Sequence, residues 1–135
     1  MPTAIARYAG HLRTEATHVA SGTAIHTDAP TDNHGRGEAF SPTDLVCTAL
    51  GACMMTVMGI VAERHQLDLV NSTCAVTKHM SPAAPRRIAQ IDVTFTLPAA
   101  LAPADRALLE RSAHTCPVTL SLHPDVIQNV VFEYR

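Results

Sequence analysis

A chain of 135 residues with a net charge of −2 and only 16% charged residues is long enough for one domain and short for two. No run of like charge exceeds two residues, which excludes the basic stripe of a nucleic-acid groove or an anionic-membrane surface and leaves small or uncharged partners. With two Tyr, three Phe and no Trp, the core must come from Val, Ile, Leu, Ala and Met, and a second subunit would help to complete it.

The opening residues MPTAIARYAGHL lack a basic segment followed by an apolar one, so no signal peptide is expected and the reading is cytoplasmic. In a reducing compartment the four cysteines read as free thiols, metal ligands or redox centres before structural staples. Residues 4–19 alternate loosely and break at Gly10; Ser21 and Gly22 mark a turn before 23–27, centred on Ile25. This pattern predicts an N-terminal antiparallel unit of two or three strands. Residues 28–40, DAPTDNHGRGEAF, are dense in turn formers and predict a loop of the kind that often lines a site.

Residues 41–65 predict a long helix. Ser41 is the expected N-cap, Pro42 the first helical residue, and Asp44 completes an S-x-x-D capping box. Residues 45–62 carry no charge and place apolar side chains on every face, which predicts a helix packed on all sides. Such a run, about 18 residues long, touches the lower limit of a membrane span. Thr48, Thr56, Gly51, Gly59 and two cysteines, with no interfacial aromatics, argue against that reading. Residues 67–78 and 87–97 predict an antiparallel strand pair across the loop 80–85. Pro103 opens a second helix towards Thr115, Cys116-Pro117 places Cys116 at the N-cap of a short segment, and 126–134 predict a last strand. The expectation is a single domain spanning 1–135.

Metal chemistry finds little support. Cys47 and Cys53 stand six residues apart, about 240° around a helix, so they diverge. His114 and Cys116 make an H-x-C pair, but no C-x-x-C or H-x-x-x-H spacing accompanies it. Gly35-Arg36-Gly37 lacks the further glycines and flanking strand of a phosphate loop. No metal or other cofactor is expected. Cys116 at a helix N-cap would have its thiolate stabilised by unpaired N–H groups. Cys53, among Ala49, Leu50, Met54 and Val57, would have its thiol held protonated by burial. It is either a small core residue or a reactive thiol served by a cation from elsewhere, the nearest in sequence being Arg36 and Arg13.

SPTDLVCTALGACMMTVMGIVA followed about sixty residues later by CPVTLSLHPDV resembles the OsmC/Ohr family (osmotically inducible protein C and organic hydroperoxide resistance). The resemblance spans nearly the whole chain. It implies an α+β fold, antiparallel sheets around two helices with one long and centrally buried, in an intertwined homodimer with sites at the subunit interface. It also implies a thiol peroxidase in which Cys53 attacks the peroxide and Cys116 resolves the sulfenic acid as a disulfide. Organic hydroperoxide is the implied substrate and a dithiol, in some members a lipoylated protein, the implied reductant. A family arginine activates the attacking thiolate; Arg13, in the N-terminal hairpin, ranks ahead of Arg36 for that task. One departure stands out. Members with established activity commonly carry a glutamate after the proline of the Pro-x-x-Leu block, paired with the arginine; here that position is Thr43, and the acid is at Asp44, already engaged by the capping box. The competing expectation is therefore a non-enzymatic redox sensor or small hydrophobic-ligand binder on the same fold.

Overall fold

The computed structural model describes residues 1–135. The chain divides into two compact units, Met1–Val46 and Cys47–Arg135.

The N-terminal unit is an antiparallel meander of β1 (Ala4–Gly10), β2 (Arg13–His18) and β3 (Ala24–Asp28), three strands as the turn signals imply. The tight β1–β2 connection relies on Gly10 at φ 88°, with His11 and Leu12 also left-handed; a side chain at Gly10 would be strained there. Register sorts the two faces. Ala6, Ala16 and Ile25 align across one face, with Tyr8 and Thr14 beside them, while Arg7, Glu15 and His26 align on the other, with Arg13 opposite Asp28. Neither face is covered within the unit: Tyr8 and Ile25 are exposed, and the only buried residues are Thr27, Asp28 and Ser41. The loop after β3 holds one 3-10 turn, Thr31–Asn33, and Gly35 lies so close to the Ala29 carbonyl that an added methyl would collide with it.

Helix α1 (Pro42–Arg64) starts where its capping residues require. The Ser41 N–H donates to Asp44 Oδ2 at 2.9 Å and the Asp44 N–H donates to Ser41 Oγ at 3.0 Å, so two otherwise orphaned donors are satisfied reciprocally.

In the C-terminal unit, β4 (Thr73–Met80), β5 (Ile88–Leu97) and β6 (Ile127–Tyr134) form a second sheet. Ile91, Val93, Phe95 and Leu97 on one face of β5 meet Leu50, Met54, Met58 and Ala62 of α1 and Leu109 and Ala113 of α2 (Pro103–Ala113) in one core. Gly51 permits this approach: a Cβ there would lie 2.9 Å from both Cys74 Sγ and Val76 Cγ2. A short α3 (Pro117–Ser121) follows α2.

Three expectations need correction. Within one chain the helix 41–65 is covered on one face only: its buried residues, Cys47, Leu50, Gly51, Met54, Met58 and Ala62, make one stripe, and Val46 and Ile60 are exposed. One sheet and α2 can cover only one face of a helix. The second sheet is mixed, since β6 runs parallel to β5. The intervening segment with α2 and α3 supplies the long crossover that parallel pairing needs. The strand at 67–78 begins only at Thr73, because Gln66 and Asn71 are left-handed and Asp68 Oδ1 accepts the Val70 N–H at 2.9 Å, a local turn that competes with the ladder.

Candidate active site

Local sequence fixes the first thiol. Pro117 at the first helical position makes Cys116 the N-cap of α3, with φ −67° and ψ 143°, as the Cys-Pro dipeptide predicts. Its sulfur accepts the Thr119 N–H at 3.3 Å and its S–H donates to Thr119 Oγ1 at 3.0 Å. Thr119 is anchored in turn, its carbonyl accepting from Gln128 Nε2 of β6 at 3.1 Å. Cys116 is fully buried. Three successive polar contacts therefore hold one sulfur in one place.

The second thiol comes from the middle of α1. Cys53 is half-buried, and the polar groups acting on its sulfur are the Cys116 thiol and the backbone N–H of Val118. Burial pushes the Cys53 thiol up, the Val118 N–H pulls it back, and the neighbouring Cys116 raises it again. No cation contributes. As they stand, these surroundings favour a protonated Cys53 at neutral pH, while two adjacent free sulfurs are what disulfide formation needs. Cys47, buried in α1, and Cys74, half-buried on β4, are also free; burial alone pushes the Cys74 thiol up.

In the N-terminal unit, Arg13 is gripped sideways. Its Nε donates to Asp28 Oδ1 at 2.7 Å and its Nη2 to Asp28 Oδ2 at 2.8 Å, a bidentate fork; Nη2 also reaches Glu38 Oε2 at 3.4 Å. The Glu38 N–H donates to Asp28 Oδ2 at 3.2 Å. Asp28 is 1% exposed, yet the Arg13 fork holds its carboxyl below the usual range against the opposing effect of burial. The same pair pushes the Arg13 guanidinium further up, so both are charged at any physiological pH. Arg36 is exposed on the preceding loop, without a comparable grip. Thr43 Oγ1 lies 3.2 Å from Ser41 Oγ, inside the helix cap, and Asp44 serves that cap as expected.

The structure thus brings Cys53 and Cys116 together and anchors Arg13. Sequence reading missed Asp28, whose relation to Arg13 depends on the β2–β3 register. It also missed Thr119 and the Val118 N–H, which follow from the capped turn once Cys116 is placed. No group of three or more His, Cys, Asp or Glu side chains converges in a metal-binding arrangement.

The profile of the OsmC-like protein family matches residues 35–129. No curated protein matches the chain. Among solved structures, a protein from Psychrobacter arcticus 273-4, provisionally named for osmotic stress induction and detoxification response, is 44% identical with a TM-score of 0.94, over 98% of this chain and 96% of that one. An organic hydroperoxide resistance protein OsmC from Legionella pneumophila shares the fold at 16% identity and TM-score 0.75, with 98% of each chain covered. So does a provisionally assigned organic hydroperoxide resistance protein from Vibrio cholerae, seen with captopril in one of its active sites, at 18% identity and TM-score 0.75, over 96% of this chain and 89% of that one. With the profile covering most of its length and a 44% identical relative matching almost end to end, the chain belongs to the OsmC-like protein family.

Proposed function

We propose that the protein is a thiol-dependent peroxidase that reduces organic hydroperoxides. The observation that carries this reading is the adjacency of the Cys53 and Cys116 sulfurs, one from mid-helix and one from a helix cap. In the first step the Cys53 thiolate attacks one oxygen of ROOH; the O–O bond breaks, Cys53 becomes the sulfenic acid, and RO⁻ takes up a proton to leave as ROH. In the second, the Cys116 sulfur displaces hydroxide from that sulfenic acid, giving the disulfide and water once a proton is added. A dithiol then reduces the disulfide and is itself oxidised. Apolar neighbours such as Met54 and Val57 on α1 favour an alkyl over a hydrogen peroxide.

Arg13 is the activating cation in this scheme, ahead of Arg36, since an unassisted Cys53 thiol is pushed up by burial. The working unit is a homodimer of one OsmC-like domain per chain, acting in the cytoplasm. The exposed residues Val46, Ala49, Thr56 and Ile60 on α1, in line with half-buried Cys53, support the dimer, having the three- and four-residue spacing of a helix-pairing seam.

The test is rapid-quench oxidation of the reduced protein by cumene hydroperoxide, with each cysteine followed by mass spectrometry. We expect Cys53 to react far faster than a free thiol and a Cys53–Cys116 linkage to follow. A Cys53 rate no greater than that of a free thiol sinks the enzyme reading and favours the redox-sensor alternative.

A further inference from the structure

A guanidinium useful to a thiolate must be held still and must keep one edge free. In Arg13 the Nε–Nη2 edge is fully engaged by Asp28, with Glu38 as a third acceptor, while Nη1 makes no hydrogen bond within the chain. The holding carboxylate is 1% exposed and is itself fixed by the Glu38 N–H. A surface arginine paired with one acid would not be so constrained, because exposed pairs lose much of their attraction to side-chain entropy and screening. Asp28 also lies directly opposite Arg13 in the β2–β3 register, so the backbone ladder sets the distance before any side chain chooses a rotamer.

Thr43 cannot supply a carboxylate, and Asp44 is spent on the cap of α1. We propose that Asp28 is the positioning residue for Arg13, holding the guanidinium by its Nε–Nη2 edge so that Nη1 is presented to the anionic sulfur or peroxide oxygen, a task for which no helix glutamate is then required. This rests on the assignment of Arg13 as the activating cation. Asp28 is not a catalytic residue: it acts through Arg13 alone. The device resembles a bidentate arginine–carboxylate clamp in which one edge of the fork is sacrificed to aim the other.

Four variants of the full-length protein test this, each read by the cumene hydroperoxide oxidation rate of Cys53 and by the pH dependence of its alkylation. With Arg13→Gln we expect oxidation slowed by about tenfold or more and the alkylation inflection moved to higher pH. If Arg13→Gln behaves as wild type, the assignment of Arg13 fails and this inference goes with it. With Asp28→Asn we expect the same two changes, in the same direction, of about tenfold or more. A normal rate in Asp28→Asn beside a slow Arg13→Gln overturns the Asp28 inference and leaves the Arg13 reading standing. Adding Thr43→Glu to Asp28→Asn is expected to restore the rate and the inflection, which a purely structural role for Asp28 would not allow; no restoration overturns the proposal. Thr43→Glu alone, a change in the first turn of a helix where acids are favoured, guards against an Asp28→Asn protein that does not fold. It is expected to leave the rate within about a factor of three of wild type, since the edge it would bind is already occupied; a larger gain would show that Asp28 does not hold Arg13 adequately.

Discussion

The two units solve opposite problems. The C-terminal unit surrounds Cys53 with apolar atoms, another thiol and a single N–H dipole, so it builds a place for a sulfur without making that sulfur reactive. The N-terminal unit has almost no core of its own and instead holds a tight charge cluster, Arg13 with Asp28 and Glu38. Reactive thiols sit in electropositive, partly exposed surroundings, and the groups acting on Cys53 within its own unit include no cation. Family resemblance alone does not show this division, because it reports which residues match and not which of them are already satisfied.

The largest expected effect removes one side of the comparison. Cys53→Ser should abolish peroxide consumption, whereas Cys116→Ser should permit one oxidation of Cys53 and then stall with overoxidised sulfur, both visible by mass spectrometry. Next comes the cation. Arg13→Lys keeps the charge but cannot repeat the two-point grip on Asp28, so Cys53 oxidation should slow by about tenfold; an unchanged rate would reduce the cluster to a structural ion pair.

Two further changes sharpen the contrast through stability. Gly51→Ala would push a methyl to within 2.9 Å of Cys74 Sγ and Val76 Cγ2. Overpacking at about 1–3 kcal/mol, offset by up to about 1 kcal/mol of helix propensity, should leave a net loss visible in urea unfolding. The charge cluster should show itself in acid. The Asp28 carboxyl is lower in the folded chain than in the unfolded one, so its contribution is present above the unfolded value, about pH 4, and is lost as pH falls through the folded value. Arg13 and His26 are the charged groups that lower it, with the Glu38 backbone N–H acting in the same direction. Asp28→Asn should flatten part of the acid limb in thermal melts, and only part, because Asp92 is shifted the same way by Gln90, His79 and Asn129. The smallest expected effect is none: Cys47→Ala and Cys74→Ala should leave peroxide reduction intact in a steady-state assay.

Much of this was legible in the chain. Ser41, Pro42 and Asp44 announce the start of α1, and Cys116-Pro117 announces a capped turn, because caps and prolines act within a few residues. Which face of α1 is buried was not legible: an apolar residue on every side leaves no periodic signal, and only the sheet behind Leu50, Met54 and Met58 breaks the tie. The parallel direction of β6 was hidden for the same reason, since strand patterning carries no sense of direction. Asp28 was unreadable as a partner for Arg13 because fifteen residues separate them and only register brings them together.

The crossover between β5 and β6 has a consequence in time. Cys53 leaves the ribosome 63 residues before Cys116, a delay of roughly 3–13 s at ordinary elongation rates of about 5–20 residues per second. Cys116 cannot take its place until α2 has formed and β6 has returned alongside β5, pairings that close slowly because they are distant in sequence. During synthesis Cys53 is therefore without its partner thiol, while Cys47 and then Cys74 are already in the chain. Cys116 arrives only as the fold completes, so a newly made chain acquires the Cys53–Cys116 pair at the end of folding, and Cys53 gains its resolving partner last.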